Sequence, residues 1–300
     1  MKITIASKLP EFQRRHAVKM KRVMRNHWAA CKALITKPLI SQAVEIEMLP
    51  GELVDAIKQQ HRELASLGIR PTMATLLTKA GNEIMAEIER HKKGLVAWIV
   101  AARSMETKEF NPLTDRVISF INNEAQYFEV EFSAEMVASL QRVLTAAAQD
   151  GWSTYTISNS LSEFVGLTTK QAATVARGMT AKMASLAEAG MSPRDVASEG
   201  AEFAKRYGEW MRRVRVETIA RTETGRAYGC GQQEAVRQAI DSGIAKGAKK
   251  TWRHSGLDNA RAAHEAMDGE SIPLNETFSN GEEYPGMINC RCTVEYEIEV

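Results

Sequence analysis

The sequence contains only four cysteines in 300 residues, so it lacks the disulfide framework on which small secreted domains rely. It also lacks any apolar run approaching the roughly 20 residues that a membrane-spanning helix needs. The N-terminal segment MKITIASKLPEFQRRH has no apolar signal-peptide stretch before its charges. We therefore expect reduced thiols, no membrane partner, and a protein that acts in a cytoplasm or is carried from one.

Motifs of several common enzyme classes are absent as well. The chain contains no G-x-x-x-x-G-K-[ST], G-x-G-x-x-G, H-E-x-x-H or G-x-S-x-G pattern. The segment YGCGQ at 228–232 holds two glycines, but no strand is predicted before it, which argues against a phosphate-binding loop. These patterns therefore give no support for an enzyme of these classes, and we predict no catalytic residue.

Charge is nearly balanced over the whole chain, with a formal net charge of +2, but it is unevenly distributed. Residues 1–37 hold ten Lys or Arg against the single acid Glu11, and the last six residues hold three Glu and no base. A basic arm of this kind favours contact with phosphates or with an acidic protein surface. The alternative interpretation is the solvated face of a helix.

The region from Pro10 to about Ile240 is rich in Ala, Leu, Met, Glu, Lys and Arg, with few Gly and Pro. This composition predicts a series of helices. One helix is expected to end at Gly68 and the next to begin at Pro71, a residue suited to a first turn. The segment EFNPLT at 109–114 is the clearest interruption and predicts a boundary.

Side-chain caps are predicted at three later helix starts. Thr168 with Gln171, and Ser192 with Asp195, have the three-residue spacing of a capping box. Ser153, which follows the sequence QDGW, is a third candidate N-cap. A helix is therefore expected to begin directly after each capping residue.

The pattern changes after Gly243. The segment GAKKTWRHS predicts a short strand, LDNARAAHEAM a short helix, and SIPL another extended piece. The final segment CTVEYEIEV alternates strictly between apolar and mostly acidic residues, which predicts a half-buried strand. These segments together predict a small α+β module at the end of the chain.

The expected fold is mostly α: an elongated helical body followed by a small C-terminal α+β module with a short antiparallel sheet. The sequence divides into an N-terminal helical region with a basic start at 1–132, a second helical part at 133–245 and the terminal module at 246–300.

Cys290 and Cys292 lie one residue apart, so a strand would place both side chains on one face, where the two sulfurs could share a ligand. A disulfide between them would close a strained ring. Zinc suits these donors better, with His264, Asp258 and His254 as the nearest further candidates.

The alternative is that both thiols are small, inert core residues. In that interpretation Asp258 caps the following helix and His264 bonds a backbone carbonyl.

The polar segment VETIARTETGRAY at 216–228 is flanked by helix, and Arg213, Glu217 and Arg221 are spaced by four residues. One interpretation is an exposed helix with a ladder of ion pairs. The interpretation we prefer is that Arg221 and Glu223 reach the terminal module and fix it to the helical body.

Three segments in this order, ETIARTETGRAYGCG, KTWRHSGLDNARAAHEAMDGESIP and YPGMINCRCTVEY, resemble the phage head morphogenesis family, also called Mu F-like minor head proteins. The resemblance covers roughly residues 150–300 and implies no catalytic role. Its motif positions fall on Arg221, Thr222, Glu223, Trp252, Asp258, Arg261, His264, Gly269, Asn289, Cys290, Arg291 and Cys292.

The resemblance implies a minor capsid protein that is made in the host cytoplasm, joins the procapsid and commonly binds the portal protein. The implied location is the virion, inside the head. The first 130 residues fall outside the resemblance, but their long helices and basic start would suit attachment to the portal, to major capsid or scaffolding protein, or, through residues 1–37, to packaged DNA. The Asp, the His and the paired Cys imply a zinc site at Asp258, His264, Cys290 and Cys292, or a structural knot without metal.

Some relatives carry toxin domains after the module. We expect no such domain here, because only eight residues follow Cys292 in this sequence. Two alternatives remain open: a metal-dependent hydrolase or nuclease in the terminal module, and a non-specific DNA-binding protein of the head interior.

Overall fold

A computed structural model describes residues 2–96, 109–257 and 261–300 and is mostly helical, as the sequence predicts. The first five α-helices are α1 Leu9–Leu34, α2 Lys37–Ile46, α3 Gly51–Glu63, α4 Arg70–Val96 and α5 Asp115–Glu129. The other five are α6 Glu131–Gln149, α7 Thr154–Ser160, α8 Thr169–Glu188, α9 Pro193–Asp241 and α10 Ala262–Ala266. Among the described residues, no helix is both long and apolar enough to cross a bilayer.

The chain forms two compact units. The first consists of Met1–Met20, Arg70–Asn123 and Thr218–Val300, and the second of Lys21–Ile69 and Glu124–Glu217. We call them the sheet unit and the helical unit. Each unit draws on separate stretches of the chain, and the division at 132 and 245 stays a prediction of the sequence.

The sheet unit contains four antiparallel strands in the order β1-β4-β2-β3. The strands are β1 Lys2–Ile5, β2 Gly247–Arg253, β3 Ser271–Pro273 and β4 Thr293–Glu299. Val294, Tyr296 and Ile298 of β4 are buried, as the alternation predicts. The sequence did not predict β1, whose Lys2 pairs with Glu299 and whose Ile3 and Ile5 are buried.

Two glycines of the sheet unit allow neighbouring segments to approach closely. A Cβ atom at Gly231 of α9 would lie 2.7 Å from the carbonyl oxygen of Leu77 on α4. A Cβ atom at Gly81 of α4 would lie 2.3 Å from the ring of Phe110. These two positions therefore require glycine because a larger side chain would clash with a neighbouring segment, and not because the backbone has a positive φ.

The helical unit confirms the predicted caps. The hydroxyl of Thr168 accepts from the backbone N–H of Gln171, and the Gln171 side chain accepts from the backbone N–H of Thr168, which completes a capping box at the start of α8. Ser192 accepts from the N–H of Asp195 at the start of α9, and Ser153 caps α7 through Thr156.

The predicted helix end at Gly68 is wrong. The helical backbone continues from α3 through a π-helical turn at Leu64–Ile69 into α4. A Cβ atom at Gly68 would lie 2.8 Å from the side chain of Val23, so the glycine allows close packing there instead of ending the helix. Pro71 is accommodated in the first turn of α4.

Candidate metal centre in the terminal module

Three of the four predicted zinc ligands lie together in the sheet unit. His264 projects from α10, and Cys290 and Cys292 come from the segment that leads into β4. Nδ1 of His264 lies 3.4 Å from Sγ of Cys290 and 3.6 Å from Sγ of Cys292. The three donor atoms all lie within 4.8 Å of one another. Asp258, the fourth predicted ligand, lies outside the described residues.

The environment of His264 holds its ring in place. Its imidazole is buried and meets the ring of Trp252 edge to face, with centroids 5.2 Å apart. On the other side, Nε2 lies 3.0 Å from Sδ of Met287. Trp252, itself fully buried, also packs on Phe278. The ring therefore presents Nδ1 to the two thiols.

The two thiols differ in acidity. Hydrogen bonding with Cys290 lowers the pKa of Cys292 to about 7, aided by the Ser255 backbone and the Trp252 side chain against the opposing effect of burial. The same hydrogen bond and burial raise the pKa of Cys290. Because the thiolate is the form that binds metals, the shared hydrogen bond favours loss of the first proton from this pair.

The donors face a cavity of about 230 Å³. Its lining residues are Ser255, Leu257, Arg261, His264, Asn289, Cys290, Arg291 and Cys292. Arg291 is exposed, whereas Cys292 is buried. Cys290 is half-buried, so solvent can approach the donor cluster at this thiol.

Residues of α9 hold the segment that carries the thiols, as we expected for Arg221. Arg221 Nη1 donates to Oδ1 of Asn289, and the backbone N–H of Asn289 donates to Oγ1 of Thr222 at 2.9 Å. Asn289 has a φ of 60°, a left-handed conformation that Asn tolerates better than most residues. Arg226 Nε donates to the carbonyl oxygen of Gly286 at 2.9 Å.

The other predicted motif residues have identifiable places. Arg261 Nη2 donates to the carbonyl oxygen of Ile288 at 2.8 Å, so it fixes the same segment from the side of α10. Glu223 is buried and lies 3.8 Å from Arg226 Nη1. Gly269 has a φ of 84° and donates its N–H to the carbonyl oxygen of Trp252. His254 lies outside the donor cluster of the described residues.

Sequence reasoning missed Lys250, a buried cation of the sheet unit. Its Nζ donates to Oε1 of Gln233 at 3.1 Å and to the carbonyl oxygen of Glu283 at 2.8 Å. Burial lowers the pKa of Lys250 to about 8. The period of the strand offered a signal, because Lys250 lies on the same face of β2 as Trp252.

Two thiols and one imidazole are donor types typical of zinc sites, and this structure supplies them from two elements. Three donors leave one position of a tetrahedral ion for a further ligand. The arrangement therefore suits either a structural ion with a fourth donor or an ion that carries a water molecule.

Comparisons with known proteins agree with the predicted resemblance. The sequence model of the family described as "Phage Mu protein F like protein" matches residues 138–295. NAD(+)--arginine ADP-ribosyltransferase EFV of Enterococcus faecalis is 31% identical over 108 residues, which cover 30% of this chain and 22% of that protein. The chain thus spans about a fifth of that relative's length. No solved structure matches the chain significantly.

The family match includes the α9 residues that hold the terminal segment and all three described donors of the cluster. It extends over more than half of the 300 residues. The chain therefore belongs to the Phage Mu protein F like family of phage head morphogenesis proteins.

Proposed function

We propose that this protein is a minor head protein that binds the portal during procapsid assembly and stays inside the head. The observation that carries the proposal is the family match over residues 138–295. In the structure, this region contains α9 and the terminal module, which are joined by specific polar contacts from Arg221, Thr222 and Arg226. Such contacts support a rigid binding module more directly than they support turnover.

Zinc in the terminal cluster belongs to the same proposal. An ion bound by His264, Cys290 and Cys292 would join α10 to the segment before β4. Such a link would supplement the contacts from Thr222 and Arg261 that hold the segment before β4. Asp258 as the fourth ligand stays a prediction.

An exposed aromatic group on α9 supports portal binding. The rings of Tyr207 and Trp210 stack with centroids 5.5 Å apart and an interplanar angle of 10°. Trp210 is 49% exposed, and Val214, one turn further along, is 45% exposed. Exposed apolar patches mark interaction sites, and Trp and Tyr contribute more binding energy than most residues at interfaces.

Co-sedimentation with the phage portal protein tests the proposal. The unaltered chain should sediment with portal rings, and Trp210→Ala should weaken this binding by about tenfold or more. Tyr155→Ala is the matched control, because Tyr155 is similarly exposed at 48% but lies on α7. An unaltered chain that neither binds portal nor occurs in procapsids or virions would contradict the proposal.

Protection from protease tests whether the protein stays inside the head. Intact purified heads should protect the chain from added protease, and heads opened by osmotic shock should expose it. Cleavage in intact heads would place the protein outside and contradict this part of the proposal.

The cavity beside the thiols favours a second candidate, a metal-dependent hydrolase or nuclease. A catalytic ion needs an open position for water, and the cavity of about 230 Å³ adjoins the three donors. Purified chain should then cleave DNA, RNA or peptide in a reaction that a chelator and Cys292→Ser both abolish. Absence of such turnover in zinc-loaded protein would exclude this candidate.

DNA binding through residues 1–37 has weaker support. Half of the ten basic side chains in this arm are ion-paired with acids of their own unit. The pairs are Lys2 with Glu297, Lys8 with Glu87, Arg15 with Glu83, Lys21 with Glu217 and Lys32 with Glu163. These pairs reduce the positive charge available to phosphates.

A further inference from the structure

A second cluster of metal-binding side chains lies in the core of the helical unit. His27 and Cys31 are one turn apart on α1, and His61 projects from α3. Nε2 of His27 lies 3.2 Å from Nε2 of His61 and 3.6 Å from Sγ of Cys31. The three side chains are 6%, 1% and 0% exposed. One donor atom from each lies within 4.8 Å of the other two.

The orientation of His61 leaves one ring nitrogen for a ligand. Its Nδ1 lies 2.8 Å from the carbonyl oxygen of Ile57, to which an N–H at that position donates. The unprotonated Nε2 then faces His27. Metal-binding histidines characteristically use one ring nitrogen in this way and present the other to the ion.

The positive charge of Arg215 acts on His61. Arg215 is itself paired with Glu135 and lies over the ring of Phe132, so its charge is compensated.

We infer that His27, Cys31 and His61 form a second transition-metal site, which ties α1 to α3. A thiolate with two imidazoles is a donor set that zinc accepts. Binding forms one metal–sulfur and two metal–nitrogen bonds, and the thiol proton of Cys31 leaves to solvent. The fourth position of a tetrahedral ion would take a water molecule, because the cluster of described residues supplies three donors.

This site goes beyond the proposed function and does not depend on it. Its ligands belong to the helical unit, whereas His264, Cys290 and Cys292 belong to the sheet unit. They also precede the residues that match the family. The site would therefore be a property of this chain's own N-terminal helices.

Zinc content of the purified chain tests the inference. The unaltered protein, loaded with zinc and dialysed against metal-free buffer, should retain two ions per chain by atomic emission. Cys31→Ser and Cys292→Ser should each retain one ion, and the double variant none. Cys230→Ser is the matched control, because burial raises the pKa of Cys230 and of Cys31 to about 12, yet Cys230 lies outside both clusters. It should retain two.

The five chains separate the two sites. If the unaltered chain and Cys292→Ser both hold one ion, and Cys31→Ser holds none, the inference stands and the terminal site fails. If Cys31→Ser holds as much zinc as the unaltered chain, the inference is overturned.

Folding of the variants is checked by circular dichroism. Should Cys31→Ser not fold, Cys292→Ser alone decides, because one retained ion supports the inference and no retained ion overturns it. Cobalt gives a second readout: Cys292→Ser should show a thiolate-to-cobalt charge-transfer band from Cys31.

Discussion

Nζ of Lys250 lies 3.1 Å from Oε1 of Gln233, which joins β2 to α9 through a fully buried ammonium group. The same Nζ donates to the carbonyl oxygen of Glu283, a few residues before the thiols. A buried lysine needs such acceptors, because removing its charge from water is costly. This cation therefore links the sheet, the long helix and the segment that leads to the candidate metal centre.

The stability contributed by Lys250 should rise with pH. Its pKa in the folded protein is about 8, below the ordinary value of 10.5, so between these values the unfolded chain binds the additional proton. Stability from this group is therefore lowest below about pH 8 and increases up to about pH 10.5. Urea unfolding midpoints of the unaltered chain, measured relative to those of Lys250→Met, should increase across this window.

Lys249→Met is the control for that series, because Lys249 is the exposed neighbour on the same strand. Its difference from the unaltered chain should stay nearly constant with pH. A Lys250→Met difference that is equally flat would show that Lys250 titrates at its ordinary pKa.

Thr222→Val should destabilise the sheet unit by about 1–3 kcal/mol. Valine keeps the shape of threonine but leaves the backbone N–H of Asn289 without the acceptor that it now has at 2.9 Å. Chemical denaturation measures the loss. Thr174→Val is the control, because the exposed hydroxyl of Thr174 bonds only Lys170 of its own helix among the contacts described; an equal loss in both variants would contradict the assigned role of Thr222.

The features that sequence could predict are local ones. The capping box at Thr168 needs only Gln171 three residues later, and the final strand shows its buried face by alternation alone. Strand β1 was missed because its partner β4 lies at the opposite end of the chain, where no local pattern indicates the pairing. Gly68 was misread because a glycine that permits close packing looks the same in sequence as one that ends a helix.

In the candidate metal sites, too, sequence predicted the local pairs of residues and missed contacts between distant segments. Cys290 and Cys292 were predicted to act together because one residue separates them, and the structure places His264 beside both. The His27, Cys31 and His61 cluster was overlooked, although His27 and Cys31 share a helix face at a four-residue spacing. Its third member comes from another helix, and sequence separation hides that contact.

Gly231→Ala should destabilise the sheet unit by about 1–3 kcal/mol despite the better helix propensity of alanine. The new Cβ atom would lie 2.7 Å from the carbonyl oxygen of Leu77, and this backbone atom cannot rotate away as a side chain can. Thermal unfolding should show the loss. Gly225→Ala in the same helix is the control, since its nearest neighbour is the flexible Gln13 amide at 3.3 Å; a stable Gly231→Ala variant would mean that α4 and α9 pack more loosely than described.

Removal of metal should loosen the terminal segment locally if His264, Cys290 and Cys292 hold zinc. The backbone of residues 286–292 is fixed mainly by isolated polar contacts from Arg226, Thr222 and Arg261 rather than by a strand ladder. Without the metal–sulfur bonds, these contacts open more readily, so amide hydrogen exchange in this segment should accelerate by about tenfold or more. Mass spectrometry of peptides before and after chelation measures the change.

The location of the change distinguishes this site from other effects of the chelator. Exchange in the ladder between β2 and β4 should change less, because its backbone hydrogen bonds do not depend on the cluster. Cys292→Ser should exchange rapidly with or without chelator, whereas Cys230→Ser should behave like the unaltered chain. An ion that joins two elements cannot leave without releasing them. Unchanged exchange at 286–292 after zinc has been stripped would therefore show that the three side chains pack against one another without a metal ion.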